Sequence, residues 1–311
     1  MGGPTSRDEP TQPATLDAEG AGASVSGPVA CALWGVLNVT PDSFSDGGLY
    51  LGQSEALARA EALRQAGADV IDVGGESTRP AGKTYGEGYQ AVSVDEEIRR
   101  TEPVVAALAA AGIAVSIDTT KAEVARRAAR AGAQYLNDVS MGASLELLSV
   151  AAEEDLTLVL MHNRGRGEVA GAQIAYDDVV TDVLRELSQA ATRAMGVGVP
   201  RARVWIDPGI GFAKTARQSA ALLARTHEFV ALGFPVLVGP SRKSFIAELA
   251  PHRDGTRPAP DQRVFGTAAA VSAAVLGGAR AVRVHDVAEM RQVVDVSLGM
   301  RRAAQEQRHR G

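Results

Sequence analysis

The chain has 311 residues, 45% hydrophobic and 22% charged, with 32 basic against 37 acidic side chains and a formal charge of -5. That size suits one large α/β domain or two small ones. The balance excludes a nucleic-acid face, since no basic cluster interleaves with aromatics, and no apolar run is long enough to span a membrane. The single cysteine, Cys31, cannot close an internal disulfide, which fits a reducing, cytoplasmic setting. At the start of an apolar run it reads as core.

Residues 1–28 are rich in Gly, Ala, Pro, Ser and Thr, and read as a disordered extension rather than a signal peptide. From there, short apolar runs rich in β-branched residues predict strands at Ala32–Leu37, Val70–Val73, Ala114–Ile117, Tyr135–Asp138, Leu156–Met161, Arg203–Ile206, Pro235–Val238 and Ala281–Val284. The intervals carry helical patterning, and Asp286–Arg301 supplies the last helix. Ser93 to Glu96 and Thr120 to Glu123 fit capping boxes. Gly67, Gly112, Gly132 and the Gly277-Gly278 pair sit where helices should stop. Residues 29–300 are thus expected to form one domain, and 301–311 a polar, basic tail.

Strand and helix alternating along the chain imply a parallel sheet covered on both faces. Eight units point to a closed barrel, with an open doubly wound sheet as the alternative on pattern alone. Asn38, Thr78, Asp118, Asn137, Asp138, His162, Asp207, Ser241 and His285 fall at or just past strand C-termini. In a barrel those ends meet on one face, where active sites are built. One such residue is usually a helix cap; a set of them in register points to a site.

Two segments carry the most chemistry. Residues 38–48, NVTPDSFSDGG, lead from a strand into a loop of turn formers and caps around a lone Phe44, which suits a lid. Residues 74–80, GGESTRP, combine glycines, hydroxyl donors and an arginine fork, a combination suited to anions. The competing readings are an ordinary capped loop and a turn with a solvated arginine.

With SIDT at 116–119, Asn137-Asp138, LMH at 160–162, DPGIGFAK at 207–214, GPSRKS at 239–244 and RVHD at 283–286, these segments resemble dihydropteroate synthase. The match runs in order from about residue 32 to 300. The resemblance implies a single closed parallel (β/α)8 TIM barrel. It implies an enzyme that condenses 6-hydroxymethyl-7,8-dihydropterin pyrophosphate with para-aminobenzoate, releasing 7,8-dihydropteroate and pyrophosphate in folate biosynthesis.

Residue by residue, the resemblance assigns Asn38 to Mg2+ with the pyrophosphate, and Asp118, Asn137, Asp207 and Lys243 to the pterin. A pterin edge presents N–H donors, for which carboxylates are suitable acceptors, and Lys243 should keep Asp118 and Asp207 ionised. Arg283 and His285 match the pair that holds the phosphates, and two-residue spacing on a strand puts both on one side. Thr78, Arg79, Pro80 and Ser241 match the aminobenzoate pocket, Phe44 and Phe212 the aromatics over its ring, and Asp46 a lid aspartate. Met161 packs against the pterin or fills core. The likeness also implies a homodimer and a sulfonamide target, with small molecules as the only substrates. Ala81–Val92 is longer than the family pattern, and Ala213 stands where glycine is usual. A methyltransferase binding methyltetrahydrofolate would share the pterin residues without needing Arg283, His285 or GGESTRP. A non-catalytic pterin-binding paralogue would be expected to lose lid or loop residues.

Overall fold

The computed structural model describes residues 30–39, 48–76, 92–164 and 175–308. Phe44, Asp46, Thr78, Arg79, Pro80, most of the Ala81–Val92 insertion and the extension through residue 28 lie outside them. Eight parallel strands make one sheet: β1 Ala32–Asn38, β2 Val70–Gly74, β3 Val115–Asp118, β4 Tyr135–Asp138, β5 Thr157–Met161, β6 Val204–Asp207, β7 Leu237–Val238 and β8 Ala281–Val284. The order is β6-β5-β4-β3-β2-β1-β8-β7. A parallel bridge between Ile206 and Val236 joins its two ends. The sheet therefore closes into the expected barrel.

The helices are α1 Gly48–Gln65, α2 Val94–Ala110, α3 Ala122–Arg130, α4 Leu145–Glu153, α5 Val179–Gly196, α6 Ala216–Ala224, α7 Thr226–Val230, α8 Ser244–Leu249, α9 Val264–Leu276 and α10 Val287–Arg308. The last runs on through Arg301 to Arg308. Ser93 caps α2, accepting from Glu96 N, and three acids in the first turn favour its positive end. At α3 the N-cap position is Lys121, whose ammonium only donates and so cannot cap a helix N–H; it pairs with Glu76 and Glu97 instead. A complete capping box stands at α6, where Thr215 and Gln218 bond reciprocally.

Inner and outer faces alternate along every strand. Ala32, Trp34, Val70, Val159, Trp205, Leu237 and Ala281 form one buried cluster, with partly buried Ala114 and Tyr135 packed against it, so every strand or its lead-in contributes. Trp34, Tyr135 and Trp205 meet within it edge-to-face or tilted, with ring centroids 4.9 to 6.1 Å apart. The next residues along, on the same face, are Val36, Asp72, Ser116, Asn137, Met161, Asp207, Gly239 and Arg283. An apolar plug thus gives way to a polar layer toward the C-terminal ends of the strands. The larger core packs the outer strand faces against the helices.

Candidate active site

Arg283 organises the polar layer. From β8 its Nε donates to Asp72 Oδ2 at 2.5 Å and its Nη2 to Asp118 Oδ2 at 2.9 Å. Asp72 Oδ2 also accepts from Asn137 Nδ2 at 3.2 Å. Four residues from four strands are joined through one guanidinium fork, and Asp72 is fully buried. Asp118 therefore has Arg283 as its counter-ion, where the sequence had suggested Lys243. Among the described residues, Asp72 Oδ1, Asn137 Oδ1 and Ser116 Oγ are buried without a hydrogen-bond partner. Buried acceptors left this way are costly, so they suit a ligand that brings N–H donors.

Across the barrel, burial pushes the Asp207 carboxyl above its ordinary range, while the nearby Lys243 charge pulls it back. The same burial lowers Lys243 to about 8. A Cβ built on Gly239 would stand 3.9 Å from both Asp207 Oδ2 and Lys243 Nζ, so the glycine leaves the space between acid and base open. Lys243 also donates to the Ile210 carbonyl and lies 4.5 Å over the Phe212 ring. Met161 is buried in the same inner layer.

Strain sets the turn after β7. Arg242 sits at φ 58°, a left-handed conformation that costs a non-glycine residue about 1–3 kcal/mol. It is held from three sides: Arg242 Nε reaches Asp286 at 2.9 Å, Thr267 Oγ1 accepts its N–H at 3.1 Å, and Arg263 donates to its carbonyl at 2.7 Å. This places Ser241 and Lys243 on the inner side. Ser241 Oγ accepts from His285 N at 3.1 Å and lies 3.0 Å from His285 Nδ1, tying the β7 and β8 turns together. Asn38 ends β1 half-buried.

The β6 loop requires glycine at one position above all. Gly209 has φ 67°, and a Cβ there would fall 1.9 Å from the His162 carbonyl oxygen. Gly209 N donates to Asp207 Oδ1 at 2.7 Å, fixing that carboxylate.

The structure thus brings Asn38, Asp118, Asn137, Met161, Asp207, Phe212, Ser241, Lys243, Arg283 and His285 to one end of the barrel. Sequence reasoning missed Asp72, although a carboxylate between Ile71 and Val73 of a buried strand was a visible signal. It noted His162 without a role, and gave no sign of Glu186, whose place depends on the rotation of α5.

Comparison with known proteins agrees with this geometry. A sequence profile for pterin binding enzymes matches residues 34–285. The dihydropteroate synthase of Synechocystis sp. is 45% identical over 266 residues, covering 85% of this chain and 88% of that one. The Xanthomonas albilineans dihydropteroate synthase, solved with 4-aminobenzoic acid, superposes with a TM-score of 0.78 at 40% identity, over 87% of this chain and 93% of that one. The Yersinia pestis dihydropteroate synthase, solved as a sulfonamide drug complex, superposes at 0.79 with 37% identity, over 89% and 96%. The chain belongs to the pterin binding enzyme family, among the dihydropteroate synthases.

Proposed function

We propose that this chain is a transferase that joins para-aminobenzoate to 6-hydroxymethyl-7,8-dihydropterin pyrophosphate, giving 7,8-dihydropteroate and pyrophosphate. The observation that carries the reading is the layer around Arg283, where carboxylate and amide acceptors from neighbouring strands await N–H donors. The aminopyrimidine edge of a pterin supplies such donors, and Asp118, Asn137 and Asp207 accept them. Relatives solved with 4-aminobenzoic acid and with 7,8-dihydropteroate support the same substrate pair.

The nucleophile is an aniline nitrogen, neutral at pH 7, so no strong base is needed. Its lone pair bonds to the pterin methylene carbon as the C–O bond to pyrophosphate breaks. The electron pair leaves with the phosphate oxygen, and the new ammonium sheds a proton. The barrel assists by stabilising charge at both ends. Asp118 and Asp207 favour positive charge on the pterin, while His285, oriented by Ser241 at the edge of the aminobenzoate pocket, and the outer side of Arg283 face the departing anion. Phe212 packs beside the aminobenzoate ring. The resemblance assigns the rest of that pocket to Phe44, Asp46, Thr78, Arg79 and Pro80, which lie outside the described residues.

Magnesium fits the donor set. Among the described residues no three His, Cys, Asp or Glu side chains gather into a cage. A Cβ built on Gly74 would meet Asn38 Oδ1 at 3.7 Å and Asp118 Oδ2 at 3.9 Å, so the glycine lies against the amide oxygen at the edge of the site. One protein oxygen, with phosphates and water for the rest, suits an ion that gives up water reluctantly. When bound by Asn38 it would neutralise charge on the leaving group.

We also assign a homodimer, supported by exposed Leu249, Phe265, Leu276, Val296 and Met300 on α8, α9 and α10. No helix among the described residues is long and apolar enough to cross a membrane. The deciding assay is pyrophosphate release that requires both para-aminobenzoate and magnesium. Release without para-aminobenzoate, or none with every component present, would overturn the reading. Sedimentation of Phe265→Glu tests the dimer, and an unchanged dimer in that variant would move the interface elsewhere.

A further inference from the structure

Behind the β6 loop lies a buried polar chain that the reaction above does not use. His162, fully buried just past β5, is held at both ring nitrogens. Nε2 lies 2.9 Å from Glu186 Oε2 on α5, and Nδ1 lies 2.9 Å from Lys214 Nζ. An ammonium only donates, so Nδ1 accepts, Nε2 carries the hydrogen and Glu186 is its acceptor. Burial lowers His162 to about 4 and keeps the ring neutral in that tautomer. Its hydrogen bond to His162 holds Glu186 down at about 2. Arg164 closes the far end, donating to Glu186 Oε1 at 2.5 Å and lying 3.9 Å over the Tyr176 ring.

This chain grips the β6 loop by its carbonyls. Lys214 Nζ donates to the Phe212 oxygen at 2.8 Å, and Tyr176 OH donates to the next oxygen, of Ala213, at 3.0 Å. The segment between needs the hold. Gly209, Gly211 and Ala213 all take positive φ, and at 48° Ala213 does so with a side chain. The loop's other bonds are few: Gly209 N to Asp207, Gly211 N to Ser219 Oγ, Phe212 N to the Gly209 oxygen, and Lys243 Nζ to the Ile210 oxygen.

We propose that Lys214 is a positioning residue which, braced by His162 and Glu186, fixes the β6 loop and presents Phe212 to the aminobenzoate ring, most firmly when it is protonated. This rests on the placement of that ring beside Phe212. Burial lowers Lys214 to about 7, with Asp207 and Glu186 raising it and Lys243 and Arg164 lowering it. Those four groups, on β6, α5, the β7 turn and the β5 turn, are the charges that face it. An ammonium makes stronger bonds to carbonyls than an amine does. The grip therefore tightens below the midpoint and slackens above it.

Steady-state kinetics across neutral pH, with each substrate varied separately, tests this on Lys214→Met, Lys214→Arg and Phe212→Ala. Lys214→Met should raise the para-aminobenzoate KM about tenfold and leave the pterin pyrophosphate KM within about twofold. In the unaltered enzyme the para-aminobenzoate KM should rise as pH passes upward through about 7. Lys214→Arg should keep the low value but lose the inflection, because a guanidinium does not titrate there. An equal loss for both substrates would make Lys214 merely structural. If Lys214→Met does not fold, an inflection persisting in Lys214→Arg overturns the proposal on its own. Phe212→Ala separates the two readings: if it raises the para-aminobenzoate KM and Lys214→Met does not, only the present inference fails. If Phe212→Ala changes nothing, the ring placement itself is wrong.

Discussion

Arg283 faces two ways. Its fork reaches inward to Asp72 and Asp118, so the residue that the sequence assigns to phosphate also sets the pterin floor. Sequence reasoning alone predicts that Arg283→Ala weakens the pyrophosphate ester and spares the bare hydroxymethyl pterin. The ion pairs change that expectation. Removing one partner of a buried pair leaves uncompensated charge and costs about 3–5 kcal/mol. Both ligands should therefore lose affinity by at least about tenfold, the ester more. Calorimetric titration of the two ligands checks it, and full retention of hydroxymethyl pterin affinity would show the pairs to be idle. Asp118→Asn should nearly abolish pterin binding in the same assay, with affinity within about twofold of the parent refuting its role. Asp118, Asn137 and Asp207 were legible because a polar residue ending a buried strand stands out. The wiring among them was not, because which carboxylate meets which cation depends on stagger between strands distant in sequence.

Each strand places an apolar residue in the plug and, two positions later, a residue of the site layer. This repeat made most strands readable to within a residue. β7 fell short, two residues where four were expected, since Pro235 has no N–H to give a ladder and Val236 makes only an isolated bridge. Loops reward glycine reading where space is the constraint. Gly209→Ala should unseat the β6 loop, since its Cβ would meet a backbone oxygen that no rotamer change can move aside. The expected result is a fall of several degrees in Tm together with loss of pterin affinity. A variant with parental stability and binding would show that the turn can relax.

At the scale of the molecule, the barrel folds around cations it holds below their ordinary range. Lys214 near 7 and Lys243 near 8 both lie under the unfolded value of 10.5. Above neutrality the unfolded chain therefore binds more protons at these sites than the native one, and stability rises with pH. Cys31 opposes this only above 9, its unfolded value, because burial pushes its thiol up to about 12. Thermal denaturation should show Tm climbing between about pH 7 and pH 9, with a smaller climb in Lys214→Met. A flat or falling curve over that window would mean that the ammonium groups are better solvated than their burial implies. The closed barrel was legible once the count of units was joined to the family motifs, whereas this cost of its interior was not, because it depends on how deeply each stem is enclosed. The aromatic plug has an optical consequence. The chain has two tryptophans, Trp34 and Trp205, and both lie in that one cluster. Trp205 is two residues from Asp207 on the same face of β6, directly beneath the polar layer. Intrinsic fluorescence is therefore a single lamp under the floor. A pterin, whose near-ultraviolet absorption overlaps tryptophan emission, will dim it by energy transfer. Closure of the barrel and arrival of the first substrate can thus be watched without a label.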